Sequence, residues 1–199
     1  RKKVMIRRLK KDVAPELPDK IHKVVPIQLT SKQLKEYKKA DQDFIAWLKK
    51  IDKKRARKAE RAEAVSKVGY LFRLCAEMKM EHLIKLLEDF QEDAPGEKAV
   101  CLTMHTAVIE RLRRKFPNCS VVNGSVTGHK RTESVRRFTS RKDVPWFFGN
   151  WKAAGAGLNL QVAWNFFALD LPWTPGDLAQ GIDRIHRIGH KRGAMIHYP

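Results

Sequence analysis

From Lys98 to the C-terminus the sequence alternates short apolar runs with amphipathic stretches, and this rhythm constrains the fold more than any other feature. AVCLTM, CSVV, PWFFG, NFFAL and AMIHY are apolar almost throughout, as strands covered on both faces are. Between them lie TAVIERLRRKF, ESVRRF and LPWTPGDLAQGIDRIHR, whose apolar residues recur at helical spacing. Strands that alternate with helices build a parallel sheet, because each connection must cross over and its helix then covers a face. The expectation is an α/β core over 93–199, with a mainly parallel sheet and helices on both faces.

The upstream part reads differently. Residues 1–30 are mixed in character and contain three prolines, and VVPIQL reads as a strand whose proline favours an edge or a strand start. LTSKQL then marks a helix entry, with Thr30 as N-cap, Gln33 completing a capping box and Leu29 facing Leu34 as a staple. Leu34, Tyr37, Phe44, Leu48 and Ile51 follow on one stripe. A second helical region over 65–90 is expected to break near Met78–Met80. The helical segment 31–92 thus precedes the core as an insertion, and its charged part KKRARKAERAEA is expected to project from the body.

Charge narrows the partners. The chain carries a formal net charge of +19, and residues 1–67 hold 22 Lys and Arg against nine Asp and Glu. A field of that sign attracts polyphosphates such as nucleic acid or nucleotide, although a lysine-rich helix face is also simply well solvated. No apolar run approaches the ~18 residues of a membrane span, and the opening RKKVMIRRLKKDV lacks the apolar core of a secretory signal. Cys75, Cys101 and Cys119 are far apart and form no CxxC pair, which argues against a zinc site or a disulfide framework and suits a reducing compartment. No metal-binding residue is assigned.

The last predicted helix is the most informative. Thr174 as N-cap, Pro175 at the first helical position and Asp177 in the first turn start it well. At about 100° per residue, Leu178, Ile182 and Ile185 form an apolar stripe, and Gln180, Arg184 and Arg187 gather on the opposite side. Arginine keeps its charge and offers a planar fork of donors, so a paired arginine face suits a polyphosphate. Three further stretches carry glycine or an exposed aromatic after a strand: NGSVTGHKRTESVRRF, GNWKAAGAGLNL and LDLPWTPGDLAQ. Small residues there let a backbone approach a ligand closely.

In order and spacing these stretches resemble the C-terminal RecA-like lobe of the Swi/Snf-type ATPases, the DNA translocases of helicase superfamily two. RRLKKDVAPELPDK resembles the family's inter-lobe segment, and LFRLC its L-R-x-L-C segment without the usual His-Pro. KAVCLTMHT aligns with motif IV, with Thr103 for the common Ser. NGSVTGHKRTESVRRF matches the D-G-S…R…F block, with Asn123 for Asp and Arg131 and Phe138 in place. GNWKAAGAGLNL aligns with motif V, S-T-x-A-G-G-x-G-x-N-L, with Asn150-Trp151 where Ser-Thr is usual. DLPWTPGDLAQGIDRIHRIGH aligns with D-P-x-W-N-P…Q-A-x-D-R-x-H-R-x-G-Q, and Thr174, Gly181 and His190 depart from it.

The resemblance implies roles. Arg184 and Arg187 would be arginine fingers acting on ATP held with Mg2+ by a first lobe. Gln180, Gly155, Gly157 and Asp183 would face the nucleotide, with Asp183 and His186 also in structural hydrogen bonds. Thr103, Thr106, Ser125, Lys152 and Asn159 would line the groove that tracks a double-stranded DNA backbone, and Trp173 would either stack on DNA or pack. No Walker A loop (GxxxxGK followed by Ser or Thr) and no DExH pair occurs in these residues. The implied partners are therefore duplex DNA and an N-terminal RecA-like lobe of the same protein, with no membrane. The chain reads as a fragment that starts in the inter-lobe segment, stops after motif VI and is inactive by itself. Its setting would be a bacterial or phage-infected cytoplasm, or a nucleus if eukaryotic. A basic DNA- or protein-binding module without ATPase role, or an RNA helicase lobe, is the alternative; the basic helix 47–62 is either a grip or a solvated arm.

Overall fold

The computed structural model describes residues 14–42, 44–51, 63–155, 157–190 and 192–199. These divide into two compact units: the described residues up to Val25 together with Asp93–Pro199, and Pro26–Glu92.

The larger unit is built on one parallel sheet. Its strands are β1 (Lys20–Val24), β2 (Ala99–Thr103), β3 (Cys119–Val122), β4 (Trp146–Asn150), β5 (Asn165–Ala168) and β6 (Ala194–Tyr198). They lie in the order β1-β6-β5-β2-β4-β3, and every pairing is parallel. Connecting helices are α5 (Thr106–Lys115), α6 (Gly128–Ser140), α7 (Trp151–Gly155) and α8 (Pro175–Ile182). Alternation along the strands sorts the core into two faces. Val100, Leu102, Phe147, Phe166 and Ile196 pack with Phe138 of α6, Trp151 and Ala154 of α7 and Ile182 of α8. On the opposite face Phe116, just past α5, lies 5.2 Å from the Trp146 ring and 6.2 Å from that of Phe148. The alternating apolar runs thus become a sheet covered by helices on both faces.

Two boundaries differ from the sequence expectation. The first strand occupies KIHKV rather than VVPIQL. Pro26 has no N–H for a ladder, and the Val25 N–H is the last to pair, donating to the Tyr198 carbonyl at 2.8 Å. The strand is nevertheless at the sheet edge. The terminal helix, expected to run to Arg187, stops at Ile182. Beyond it the chain closes tighter turns, with Arg184 N–H to Gly181 O and Ile185 N–H to Ile182 O, both 3.1 Å.

In the smaller unit, α1 (Ser31–Gln42), α2 (Phe44–Ile51), α3 (Glu63–Met78) and α4 (Met80–Asp93) follow one another. The break falls at Lys79, as expected from the sequence. The capping box forms: Thr30 N–H donates to Gln33 Oε1 at 2.9 Å, and Gln33 N–H to Thr30 Oγ1 at 3.3 Å. Leu34, expected in a staple and stripe, is 43% exposed, whereas Tyr37 and Leu29 pack on Ala40, Leu74 and Met78. The charged stretch KKRARKAERAEA, expected to project, lies almost wholly outside the described residues.

Candidate functional site

All strands being parallel, the sheet has one carboxyl edge and one amino edge, and the predicted site residues divide between them. Thr106, Ser125, Lys152 and Trp173 follow the carboxyl ends of β2, β3, β4 and β5. In sheet order they run Trp173, Thr106, Lys152, Ser125, on strands about 4.8 Å apart. All four are exposed, Trp173 by 61%. Ser125 is shaped by Asn123, whose Oδ1 accepts both the serine N–H (3.1 Å) and its hydroxyl (2.7 Å). Asn150 ties two of these loops together: its amide donates to Thr103 O at 3.1 Å, and its Oδ1 accepts the Thr106 hydroxyl at 3.4 Å.

Thr103 is a correction. It is 0% exposed, and its hydroxyl donates to Asp170 Oδ2 and accepts the His105 N–H at 3.0 Å. A phosphate cannot reach it without breaking that arrangement. Asp170 in turn accepts the Met104 N–H at 2.9 Å and the Trp151 indole N–H at 2.9 Å. This buried carboxylate gathers the ends of β2, β4 and β5. Sequence inspection assigned it no role, though a lone acid closing an apolar strand was the available signal.

At the other edge, Gln180, Asp183, Arg184 and Arg187 line one groove of about 530 Å³ together with Gln161 and Ile188. The helix ends too early to present the arginines as predicted, yet the tighter turns still bring them together. Tertiary bonds hold the segment to the first residue of β1 and to residues that precede β1 and β5. Lys20 Nζ donates to Asp183 Oδ1 at 3.0 Å, His186 Nε2 pairs with Pro18 O at 2.6 Å, and Leu160 N–H donates to Arg184 O at 3.0 Å. Arg187 Nε–H donates to Asp183 O at 3.2 Å, which fixes the base of its fork and leaves its Nη groups for an anion. Burial lowers the pKa of Arg184, and the neighbouring charges of Arg187 and Arg131 lower it further, against the opposite pull of Asp183. Arg184 and Arg187 with Asp183 between them leave this groove net positive, which suits an anion.

Gly157 is not found among the described residues that line that groove. Gly155 closes α7, and Gly157 lies with Asn159, Arg131 and Gln161 along a second groove of about 910 Å³. Gly157 has φ +66°, a conformation costly for a side chain, so the turn accounts for this glycine. Arg131 Nη2 donates to Ala153 O at 2.9 Å and supports the same turn. The donors beside the arginines suit a polyphosphate rather than a metal, since Asp183, the one carboxylate among the described residues that line the groove, is engaged by Lys20.

Comparison with known proteins identifies the family. The helicase conserved C-terminal domain model matches residues 78–189, and the SNF2-related domain model residues 1–83. The chain belongs to the helicase C-terminal domain family, in its Swi/Snf branch. It is 27% identical over 99% of its length to a Caenorhabditis elegans homolog of the SWI/SNF-related regulator of chromatin subfamily A-like protein 1, spanning 28% of that relative. To the chromatin-remodeling complex subunit snf22 of Schizosaccharomyces pombe it is 31% identical over 96% of its length, spanning 13% of that protein. In fold it is similar to the Sulfolobus solfataricus SWI2/SNF2 ATPase core solved with duplex DNA, with TM-score 0.66, 23% identity, 97% of this chain and 44% of that one. The Swi/Snf-type RecA-like lobe expected from the motifs is therefore the fold observed. A bacterial or phage source finds no support in these two relatives, which are eukaryotic. Among the described residues no helix is long and apolar enough to cross a membrane.

Proposed function

We propose that this chain is the second motor lobe of an ATP-dependent translocase on double-stranded DNA, and that Arg184 and Arg187 are its arginine fingers. Residues 1–30 would connect it to the first lobe, 31–92 would form the helical protrusion and 93–199 the motor core. The observation that carries this reading is the pair of guanidiniums on one groove, mutually repelling and reinforced by Arg131. Charge growing on a transferring γ-phosphoryl would be met by donors already in place, at little cost in reorganisation. Gln180 and Asp183 would border the nucleotide, the latter mainly by holding Arg187 through its carbonyl and Lys20 through its carboxylate. Mg2+ would be held by the first lobe, where it would neutralise phosphate charge.

The carboxyl edge supports the DNA half of the reading. Thr106, Ser125 and Lys152 present hydroxyls and an ammonium in a row, whereas Asn159 lies apart from that row, in the second groove and next to Leu160, and would meet the DNA backbone there. Trp173 adds an exposed aromatic plane at the end of that row. Thr103 contributes by shaping the edge. The related archaeal core was solved on duplex DNA, and the overall charge of +19 favours a polyanion. The 199 residues contain no phosphate-binding Walker loop, so they would hydrolyse no ATP by themselves.

The deciding experiment substitutes Arg184 or Arg187 by alanine in the full-length protein. Loss of ATP turnover with duplex binding retained is the expected result. Turnover surviving both substitutions would remove the motor reading.

A further inference from the structure

Two departures from the family's motifs meet in space. Trp151 stands where motif V carries threonine, and Gly181 where motif VI carries alanine. A Cβ on Gly181 would lie 2.6 Å from Cζ3 of Trp151 and 3.1 Å from its Cε3. Real side chains do not tolerate 2.6 Å, so the indole occupies the space of the missing methyl. The ring is 5% exposed and packs against Phe166 at 5.8 Å between centroids. Each departure is explained by the other.

The pair also spans the unit. Through its indole N–H, Trp151 holds Asp170, the carboxylate that takes the Thr103 hydroxyl and the Met104 N–H. Its chain neighbours are Asn150, which links the β2 and β4 loops, and the exposed Lys152. Gly181 follows Gln180, and its carbonyl accepts the Arg184 N–H at 3.1 Å. A displacement of α8 against the indole is therefore a displacement of the Arg184 backbone.

We propose that Trp151 is a positioning residue, whose indole seated on Gly181 sets the arginine segment against the carboxyl edge and carries movement of that edge to Arg184 and Arg187. This rests on the assignment of the two edges to nucleotide and DNA. A close-packed interior transmits such a shift because it has no free volume to absorb it.

The test is a double-mutant cycle in the full-length protein with ATP and linear duplex DNA. Gly181→Ala and Trp151→Thr should each lower DNA-stimulated kcat by about tenfold or more, with the KM for ATP changed by less than about threefold. The double variant should recover to within about threefold of the parent, because a methyl then fills part of the space the ring vacates. Effects that simply multiply would overturn the proposal. So would wild-type turnover per folded molecule in the single variants, which is what a purely structural pair would give. Trp151→Phe loses the N–H to Asp170 together with the fused ring that carries Cζ3 and Cε3; it should fold and reduce the ratio of DNA-stimulated to basal turnover by about threefold. An unchanged ratio would remove the link through Asp170. Arg184→Ala and Arg187→Ala run in parallel separate the two ideas. If they leave turnover intact, the arginine-finger reading fails; if they abolish it while the cycle is multiplicative, only the Trp151 link fails.

Discussion

The two edges of the sheet are built by opposite means. At the carboxyl edge, exposed side chains sit on loops and first helical turns, and the order comes from beneath them, from Asp170 and Asn150. At the amino edge, the arginine segment is only partly exposed and is held directly by Lys20, Pro18 and Leu160. The difference fits the tasks proposed for them. A surface that tracks a sliding backbone needs adaptable contacts on a firm base, whereas donors for a transition state must be fixed before charge develops. A buried network supports the first edge, and the second edge is itself part of the packed structure.

The contrast breaks most readily at the arginines. Arg184→Ala or Arg187→Ala in the full-length protein should reduce ATP turnover by about 10³-fold, with the duplex Kd changed by less than about threefold, read by steady-state hydrolysis and anisotropy. Equal losses in binding and turnover would mean that the two edges are not separate in function. Next comes the base of the carboxyl edge. Asp170→Asn puts an amide donor among the hydroxyl, N–H and indole donors that now converge on the carboxylate, and should destabilise the chain by about 2–3 kcal/mol in urea unfolding. A smaller change would show that the edge does not depend on this network.

A pH series probes the sheet between the edges. His197 is stacked on Phe167 at 4.4 Å, and burial, with a smaller contribution from the charge of Lys23, lowers its pKa from 6.5 to about 4. The unfolded chain takes up the proton first as pH falls, so this contribution to stability is complete above about 6.5 and is lost progressively down to about 4. A loss of about 2 kcal/mol over that range is expected, less than the full shift would give because the ring is only partly buried, and His197→Phe should flatten the profile. An unchanged slope in that variant would assign the acid sensitivity elsewhere. The smallest effects belong to the exposed row. Lys152→Ala should weaken duplex binding about threefold at moderate salt and lower the slope of log K against log salt by about one. Thr103→Val should leave that slope unchanged, because its hydroxyl faces Asp170; a reduced slope would return Thr103 to the DNA contacts.

Much of the core was legible because its signals are local and repeated. The runs AVCLTM, CSVV, PWFFG, NFFAL and AMIHY became β2 to β6 to within a residue or two, since a strand covered on both faces must be apolar along its whole length. The Thr30–Gln33 box and the Thr174 cap were equally readable, a cap being a bond between residues three apart. The order of the strands and the division of the site between two edges were not, because strand order depends on which crossovers pack and leaves no mark in any single window.

What the sequence determined by itself was therefore periodicity: where the chain is buried, and that Leu178, Ile182 and Ile185 share a buried side. The tertiary structure decided where that periodicity stops being a helix. Past Ile182 the polar groups of Asp183, Arg184 and His186 find partners in Lys20, Leu160 and Pro18, which are remote in sequence. It decided Thr103 and Trp151 in the same way. A hydroxyl that looks available on a strand end is claimed by a carboxylate 67 positions away, and an indole that looks like a lapse from a motif fills the space above a glycine 30 positions on. Hydrogen bonds and close packing act at contact distance, and only the folded chain brings those residues into contact.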